Sequence, residues 1–415
     1  MASILQETDI EVLTKKESPL QVYLGQGKPS VPHNVTPDTP LAELNLNWTE
    51  NDLPEKERTK HVHRLHPYLG KFIPQIAEIF LRKFFHPDQT VLDPFSGSGT
   101  TLVQANELGI NAIGYDVSGF NVLLAKVKTN HYELKNVRQE IFDILNKTEQ
   151  MTQHQGYQLS LWNLNILPTF HESSEYLTTW FAPQSRNELL TYRDLIGQYK
   201  NQDILKIILS RSARSARLTT HFDLDFPKKP QLDPYWCYKH GRNCSPTETA
   251  YQFLKRYSID TIDRIEKFAL LRTNSTVEVH HTDSRIAKIP PIDGVITSPP
   301  YVGLIDYHQQ HKYAYELLEI EEHRELEIGS AQEGSSQKAQ LRYQESIAKV
   351  FTNLSESIPS GGYLIVIAGD KYNLYPTIAK MCDVEEEAVL QRHVNRRTGR
   401  RSSKFYESVF IWKKK

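Results

Sequence analysis

The sequence predicts an α/β fold, a Rossmann-like and mostly parallel sheet whose two halves are separated by a mostly helical insertion. Two strand–helix units follow one another between residues 90 and 129, which is typical of a parallel sheet. The alternation is lost over residues 135–275 and returns in four strand-like segments that begin at residues 275, 293, 361 and 405. The predicted parts are an N-terminal arm at 1–60, the first half of the sheet domain at 61–135, the insertion at 136–275 and the second half at 276–415.

The arm and the first helix come before the sheet. Six prolines are spread through the polar, turn-rich residues 1–60, so no long helix can form there and a tail or an extended arm is expected. From His66 to Phe84 the apolar residues recur with the helical period, which predicts a core-facing helix. Pro74 is suited to its first turn, because proline at that position lacks only an N–H that would be unpaired anyway.

A glycine-rich loop is the first candidate binding site. In order, the chain reads strand 91–92, loop 93–100, helix 100–108 and strand 112–115. Glycines let the backbone approach a ligand closely, and the start of the helix offers free N–H groups. A P-loop would need a lysine after its last glycine, and a dinucleotide fingerprint a third glycine at position 102, where this chain has Leu102. The loop therefore favours a cofactor without phosphate, and S-adenosylmethionine is such a cofactor.

Two aspartates are placed to serve this cofactor. Asp93, at the tip of the first strand, is predicted to bind the cationic methionine end or to position the loop. Asp116 ends the second strand, 23 residues further on, and is predicted to accept both ribose hydroxyls. A tight structural turn with a surface aspartate is the alternative. The other predicted cofactor contacts of the loop are Phe95, Gly97, Gly99 and Thr100.

The second candidate site is the segment TSPPY at 297–301, which ends an apolar strand. Consecutive prolines stop the sheet and fix the loop where open α/β sheets bind ligands. An exocyclic amino group on a base is a poor nucleophile, because its lone pair is delocalised into the ring. If the Ser298 hydroxyl and the Pro299 carbonyl accept its two hydrogens, the nitrogen becomes more tetrahedral and can attack a sulfonium methyl. Pro300 keeps the loop rigid, and Tyr301 would stack on a base that has left the duplex.

The segment has two other interpretations. The prolines could merely end a strand. Methylation at cytosine carbon 5 would need a thiolate, normally in a Pro-Cys pair, and no cysteine of this chain follows a proline. That route is not expected.

The segments DPFSGSGT (93–100) and TSPPY together resemble the DNA amino-methyltransferases, which methylate cytosine N4 or adenine N6 and often accompany restriction enzymes. The resemblance covers residues 61–130 and 276–415. It implies a class I S-adenosylmethionine-dependent methyltransferase sheet, with a cofactor-binding and a catalytic half, double-stranded DNA as substrate and a cognate restriction endonuclease as partner. It also implies that Lys71 or Phe72 touches the methionine moiety and that Asp283 contacts the adenine ring.

The resemblance leaves the target base open. A tetrapeptide that begins with serine is associated with cytosine N4, which is the predicted target. The glycine loop precedes the tetrapeptide, an order that matches a subgroup better known for adenine N6, which stays as the alternative. Thr100 and Ser298 are 198 residues apart, which leaves room for target recognition by the insertion. RNA or protein amide methylation and a non-catalytic DNA-binding partner in a defence system are further alternatives.

Two groups of arginines are predicted to contact DNA. Arg211, Arg214 and Arg217 recur every three residues along one helix face, with a plain exposed face as the alternative. The segment RHVNRRTGRR is predicted to be a hairpin that grips phosphate, with a solvated charged loop as the alternative. Its arginines are Arg392, Arg396, Arg397, Arg400 and Arg401.

Two further clusters are predicted to have no part in the chemistry. Cys237, His240 and Cys244 have an unusual spacing for zinc and no evident fourth ligand, so no metal is predicted. The acidic residues between Glu316 and Glu327 are expected to face solvent.

Composition agrees with a globular protein and does not exclude DNA. The chain has 415 residues, 49 Lys+Arg, 50 Asp+Glu and a net charge of −1. Basic residues are nevertheless concentrated, with 13 Lys+Arg against 8 Asp+Glu in 201–275 and 9 against 1 in 392–415. Three cysteines cannot build a disulfide framework, and neither a signal peptide nor a membrane span is predicted, so a cytoplasmic protein is expected.

Overall fold

The computed structural model describes residues 20–153, 174–394 and 405–415. The strands are β1 Gln21–Tyr23, β2 Thr90–Asp93, β3 Asn111–Asp116, β4 Tyr235–Cys237, β5 Arg242–Cys244, β6 Val277–His281, β7 Gly294–Thr297, β8 Tyr363–Ala368, β9 Val384–Val394 and β10 Phe405–Lys414. The helices are α1 Glu55–Arg58, α2 Pro74–Phe84, α3 Thr100–Glu107, α4 Gly119–Thr129, α5 Leu134–Gln153, α6 Glu175–Trp180, α7 Pro183–Leu195, α8 Gln202–Ala216, α9 Tyr251–Ala269, α10 Tyr307–Gln310, α11 Lys312–Leu318, α12 Gln337–Ser355 and α13 Tyr375–Met381.

Eight of the described strands form one sheet, in the order β1-β9-β10-β8-β7-β2-β3-β6. Strand β10 runs antiparallel to its neighbours β8 and β9, and the other pairs are parallel. In chain order, β2 is followed by β3 and β6, which lie next to one another on one side of β2. The next strand of the sheet, β7, lies on the other side of β2. The β2–β7 pair is thus a topological switch point, where ligands bind at the carboxyl ends of the strands. The predicted class I sheet is confirmed.

Helices cover both faces of this sheet. Successive side chains of a strand point to opposite faces, so Val91 of β2 packs with α2 and α3 while Leu92 packs with α12 and α13. Pro74 opens α2 at its first position, as predicted. The two faces together bury the central strands, which fixes the loops at their carboxyl ends.

The predicted mostly helical insertion is present and has a core of its own. Apolar side chains of α5, α7, α8 and α9 pack with one another and with Phe120 and Leu124 of α4. Leu317 of α11 belongs to the same core. Because α4 begins directly after β3, the insertion is packed against an element of the sheet domain.

The described part of the arm lies along the sheet. Strand β1 pairs in parallel with β9, and Leu44 and Leu46 are each only 1% exposed in the core beneath. Residues 20–60 are therefore an extended arm packed on the sheet. Among the described residues, no helix has the length and apolar character that a bilayer crossing requires.

Candidate functional site

The glycine loop between β2 and α3 depends on two left-handed glycines. Gly97 has φ +47° and Gly99, which caps α3, has φ +77°. A Cβ on Gly97 would lie 3.1 Å from the Tyr68 hydroxyl, and one on Gly99 would lie 3.1 Å from Cβ of Ala125. The backbone therefore approaches its neighbours too closely for other residues at these two positions.

Asp93 is buried beneath the loop and joins it to the second candidate site. Its Oδ1 accepts hydrogen bonds from Thr297 Oγ1 at 2.6 Å and from the Phe95 amide at 3.1 Å. Its Oδ2 accepts one from Thr101 Oγ1 at 2.7 Å. These bonds position the loop, which supports the predicted role of Asp93 in positioning the loop over its predicted role in binding the methionine end of the cofactor. Burial raises the pKa of Asp93 to about 6, against the lowering effect of these hydrogen bonds.

We expect Asp93→Asn to change how stability depends on pH. The pKa of Asp93 rises from 3.8 in the unfolded chain to about 6 in the folded one, so the folded state binds the extra proton between these values. Asp93 therefore destabilises the fold increasingly as pH rises from about 4 to about 6, by at most about 3 kcal/mol. An asparagine resembles the protonated acid, since its amide can donate to Thr101 Oγ1, which lies 3.2 Å from the Ile296 carbonyl.

Urea unfolding at a series of pH values measures this effect. The unfolding free energy of the wild type minus that of Asp93→Asn should fall as the pH rises from about 4 to about 6. Above about pH 6 this difference should be constant. A difference that does not change with pH would show that folding does not raise the pKa of Asp93.

Asp116 holds the loop from the other side. Its Oδ2 accepts a hydrogen bond from the Gly97 amide at 2.8 Å. Its Oδ1 accepts from the Ser118 amide at 2.8 Å and from Asn121 Nδ2 at 3.1 Å. Burial raises the pKa of Asp116, opposed by these bonds. A carboxylate has about four lone-pair sites, so acceptor capacity remains, chiefly on Oδ2.

A cleft of about 820 Å³, partly open to solvent, lies over these loops and unites most of the predicted site. Predicted residues in its wall are Lys71, Phe72, Phe95, Gly97, Thr100, Asp116, Asp283, Ser298 and Pro300. Asp93, Gly99, Pro299 and Tyr301 are not among its lining residues. The wall is mainly apolar with a few polar groups, a composition typical of small-molecule sites.

The polar groups of the wall test whether S-adenosylmethionine fits. Buried side-chain atoms without a hydrogen-bond partner occur in several places in the described part of the chain, and five of them belong to residues that line this cleft. These five are Ser96 Oγ, Ser98 Oγ, Thr100 Oγ1, Asn121 Oδ1 and Glu327 Oε2. Unpaired buried polar atoms are costly unless a ligand or water completes them. Hydroxyl donors for a carboxylate and oxygen acceptors for an ammonium or a diol match this cofactor's polar groups.

Two predicted cofactor residues already have internal partners. Lys71 donates to the His63 carbonyl at 2.6 Å, and burial lowers its pKa to about 8. Burial opposes ionisation of Asp283, yet its side-chain and backbone hydrogen bonds with Arg285 hold the pKa of Asp283 below its ordinary value. The neighbouring Ser284 donates to the Pro94 carbonyl at 2.7 Å, so this loop is attached to the glycine loop.

Sequence reasoning missed several residues of the wall. Tyr68 stacks on Tyr307 at 5.7 Å, and its hydroxyl accepts from Asn121 at 3.1 Å. Glu327 was expected to face solvent, which is wrong: its side chain is 6% exposed and accepts from the His308 amide at 3.1 Å. Asn121 was predictable from the sequence. Ser118, two residues after Asp116, caps a helix, and its hydroxyl accepts a hydrogen bond from the backbone amide of Asn121. Glu327 had no comparable signal.

A buried lysine beneath the loop was missed as well. Lys128, on α4, is 1% exposed and donates to the Ser98 carbonyl at 2.6 Å. Burial lowers the pKa of Lys128 well below its ordinary value.

The TSPPY loop is fixed by bonds on both sides of the reactive positions. The Pro300 carbonyl accepts from Tyr343 Oη at 2.9 Å, and Tyr301 Oη donates to Glu407 Oε1 at 2.9 Å. Burial, and secondly the Glu407 charge, raise the pKa of Tyr301 well above its usual range. In contrast, the Ser298 hydroxyl and the Pro299 carbonyl have no hydrogen bond to any described residue.

For the three arginines at α8 that are predicted to contact DNA, the alternative of a plain exposed helix face is wrong, and DNA contact stays a prediction. Arg211 is 8% exposed, is paired with Asp260 and stacks on Tyr257 at 4.2 Å. Arg214 is paired with Asp225 at 2.6 Å. Arg217 lies just beyond the helix and is 2% exposed, bonded to the Leu224 carbonyl. These guanidinium groups hold the insertion together, because each has found an internal partner.

The arginine-rich segment is only partly described. Strands β9 and β10 pair antiparallel, as a hairpin requires. Arg392 is 6% exposed and bonds Glu407 Oε2 at 2.8 Å, so it supports Tyr301 through Glu407 and is not a solvated charge. Arg396, Arg397, Arg400 and Arg401 lie outside the described residues.

Comparisons with known proteins agree with this site. A family model described as DNA methylase, of the N6/N4 type, matches residues 14–126. The chain is 38% identical over 430 residues to the type II methyltransferase M.MjaII of Methanocaldococcus jannaschii, covering 86% of this chain and 81% of that protein. It is 25% identical to M.MvaI of Kocuria varians, over 58% of this chain and 53% of that protein. It is 24% identical to M.BsoBI of Geobacillus stearothermophilus, over 67% and 57% respectively.

A glycine loop without the marks of a phosphate-binding loop, a cleft at the switch point with unpaired polar groups in its wall, and a long match to a type II enzyme all point the same way. The chain belongs to the type II DNA methyltransferases of the N6/N4 amino-methylating family, and its methyl donor is S-adenosylmethionine.

Proposed function

We propose that this protein methylates the exocyclic N4 amino group of cytosine within a specific sequence of double-stranded DNA. The observation that carries the proposal is the pair of acceptors at Ser298 and Pro299, which have no hydrogen bond to the described residues although the loop around them is firmly bonded. Serine at the first position of the tetrapeptide supports cytosine as the target.

The cleft supplies partners for each polar part of the cofactor. The hydroxyls of Ser98 and Thr100, at the start of α3, would bind the methionine carboxylate, helped by the positive end of that helix. Asp116 would accept from the ribose hydroxyls, and Asp283 would lie at the adenine. When bound, S-adenosylmethionine supplies an electrophilic methyl group on its sulfonium.

The residues of the chain make the amino nitrogen nucleophilic. Ser298 Oγ and the Pro299 carbonyl would accept its two hydrogens, which draws the lone pair out of conjugation with the ring. Attack of the nitrogen on the methyl carbon would break the carbon–sulfur bond and release S-adenosylhomocysteine, and one of the two hydrogens would leave as a proton to solvent. Positioning carries most of this rate enhancement, because the acceptors are held in place before the substrate arrives.

The target base has to leave the duplex to reach these acceptors. Tyr301 follows them directly, and its hydroxyl is bonded to Glu407, which Arg392 in turn holds. A ring fixed at its far end is a suitable surface for a flipped base.

We expect Tyr301→Phe to keep most of the activity and Tyr301→Ala to lose it. Phenylalanine retains the stacking face and loses the bond to Glu407, which keeps its Arg392 partner. Alanine removes a stacking interaction of about 1–3 kcal/mol. Affinity for a DNA duplex with a mismatched target base, measured with S-adenosylhomocysteine present, should fall for the alanine variant only. Equal affinities would remove the stacking role.

Adenine N6 is the second candidate, because the glycine loop precedes the tetrapeptide along the chain. Transfer of labelled methyl to genomic DNA and to RNA, followed by digestion to nucleosides, separates the possibilities. Label in N4-methylcytosine is expected. Label in N6-methyladenine would favour the second candidate, and label in RNA alone would overturn both.

Recognition of the DNA sequence is proposed for the insertion at 136–275, which has its own core and is anchored on α4. A cognate restriction endonuclease that cuts the same unmethylated sequence is proposed as the partner. DNA methylated by this protein should then resist that endonuclease, and cleavage of methylated and unmethylated DNA alike would exclude the pairing.

A further inference from the structure

A long irregular segment joins α8 to α9 within the insertion. Between Arg217 and Ala250 it contains only the strands β4 and β5, of three residues each. Several of its large side chains are exposed, with Tyr238 at 87% and Leu232 at 70%. Segments of this length without secondary structure are uncommon in compact domains unless something else holds them.

Four side chains of this segment bring soft and imidazole ligands together. His221, Cys237, His240 and Cys244 each offer a ligand atom, and these atoms all lie within 4.8 Å of one another. Cys237 Sγ is 3.5 Å from His221 Nδ1, and Cys244 Sγ is 3.4 Å from His240 Nδ1. In tetrahedral zinc sites, with Zn–S about 2.3 Å and Zn–N about 2.0 Å, the sulfur and nitrogen ligands lie about 3.5 Å apart.

The local backbone explains how this arrangement forms. Strands β4 and β5 pair antiparallel, and their turn is closed by hydrogen bonds from the His240 and Gly241 amides to the Cys237 carbonyl. Gly241 has φ +61°, a conformation that glycine adopts without strain. The turn thus brings Cys237, His240 and Cys244 to one place.

His221 reaches the hairpin from an earlier part of the segment. Tyr235 Oη lies 2.9 Å from both its backbone amide and its Nδ1. Coordination of a metal ion through Nδ1 would replace the contact between Tyr235 Oη and Nδ1 and leave the contact between Tyr235 Oη and the backbone amide. His221 is 16 residues before Cys237, which is why the spacing of CYKHGRNC alone revealed no fourth ligand.

We propose that His221, Cys237, His240 and Cys244 bind one Zn²⁺ in a closed tetrahedral site that holds this segment in the insertion. Two thiolates and two imidazoles are a ligand set that zinc favours. Four protein ligands leave no open coordination position, so the site is structural and takes no part in methyl transfer. Its role is to fix a segment that has too little apolar core to fix itself.

Metal content of the purified protein tests the proposal. We expect about one zinc per chain after purification in a reducing buffer without chelator, as for other structural sites. Replacement by Co²⁺ should give the visible d–d bands and thiolate charge-transfer bands of a tetrahedral S₂N₂ site. Removal of the metal should speed proteolysis between residues 217 and 250.

Matched variants decide the assignment. His240 is exposed, so His240→Ala should leave the sheet and the helices of the insertion folded while zinc and the Co²⁺ bands are lost. His280→Ala, at another exposed histidine, should keep both, as should Cys382→Ala at the cysteine outside the cluster. Zinc-free wild type that binds neither Zn²⁺ nor Co²⁺ after reduction would overturn the proposal, and so would a disulfide between Cys237 and Cys244 in the protein as isolated from cells. Unchanged binding by His240→Ala would also overturn it.

Discussion

Replacing Ser298 by alanine is expected to lower kcat for methyl transfer by about 10²- to 10³-fold, the effect of removing one preorganised hydrogen-bonding group from a transition state. The hydroxyl is one of two acceptors proposed for the amino hydrogens, and alanine offers no acceptor in its place. Affinity for S-adenosylmethionine should change little, because the loop keeps its bonds from Tyr343 to the Pro300 carbonyl and from Tyr301 to Glu407.

Single-turnover rates at saturating cofactor, together with calorimetric cofactor titrations, separate chemistry from binding. Ser298→Thr keeps the hydroxyl and should retain part of the activity. Ser335→Ala, at an exposed serine, is the matched control. A wild-type rate for Ser298→Ala would remove Ser298 from the mechanism.

The second large effect is expected at Asp116, where Asp116→Ala should weaken binding of S-adenosylmethionine by about 10²-fold. The carboxylate binds the amides of Gly97 and Ser118 and the Asn121 side chain, so its loss frees the glycine loop as well as the proposed ribose contact. Hydrogen bonds to a charged group contribute about 1.5–3 kcal/mol, and each 1.4 kcal/mol is about tenfold in affinity.

Calorimetric titration of wild type and Asp116→Ala with S-adenosylhomocysteine measures this change in cofactor affinity without turnover. Asp263→Ala is a suitable control, since this aspartate is half exposed on α9 and pairs only with Lys267 among the described residues. Circular dichroism should show that both variants remain folded. If Asp116→Ala binds the cofactor as tightly as wild type, the ribose assignment fails.

Local sequence was enough to predict the part of the fold that surrounds the cofactor. The order strand, glycine loop, helix and strand predicts where Gly97, Gly99 and Asp116 lie, because each stands at the end of a strand or the start of a helix that the local pattern indicates. Pro74 at the start of α2 was predictable for the same reason.

Contacts between distant segments were not predictable in this way. Glu327 looked like a solvent-facing acid in an acidic stretch, and nothing nearby in sequence indicates that it packs beside His308 in the cleft. Arg211 belongs to a regular arginine repeat, yet Asp260, which pairs with it, lies on α9. Charged residues are mostly exposed, so burial of such a pair appears only in the folded structure.

The position of Asp93 between two threonines has a consequence for how such enzymes diversify. Thr101 follows the cofactor loop and Thr297 precedes the catalytic loop, and one carboxylate binds both because β2 and β7 are adjacent. This contact is spatial, so a circular permutation that moved the chain ends would exchange the order of the two loops in the gene and leave their geometry unchanged. The geometry of the two loops therefore does not require the order in which their motifs follow one another along the chain.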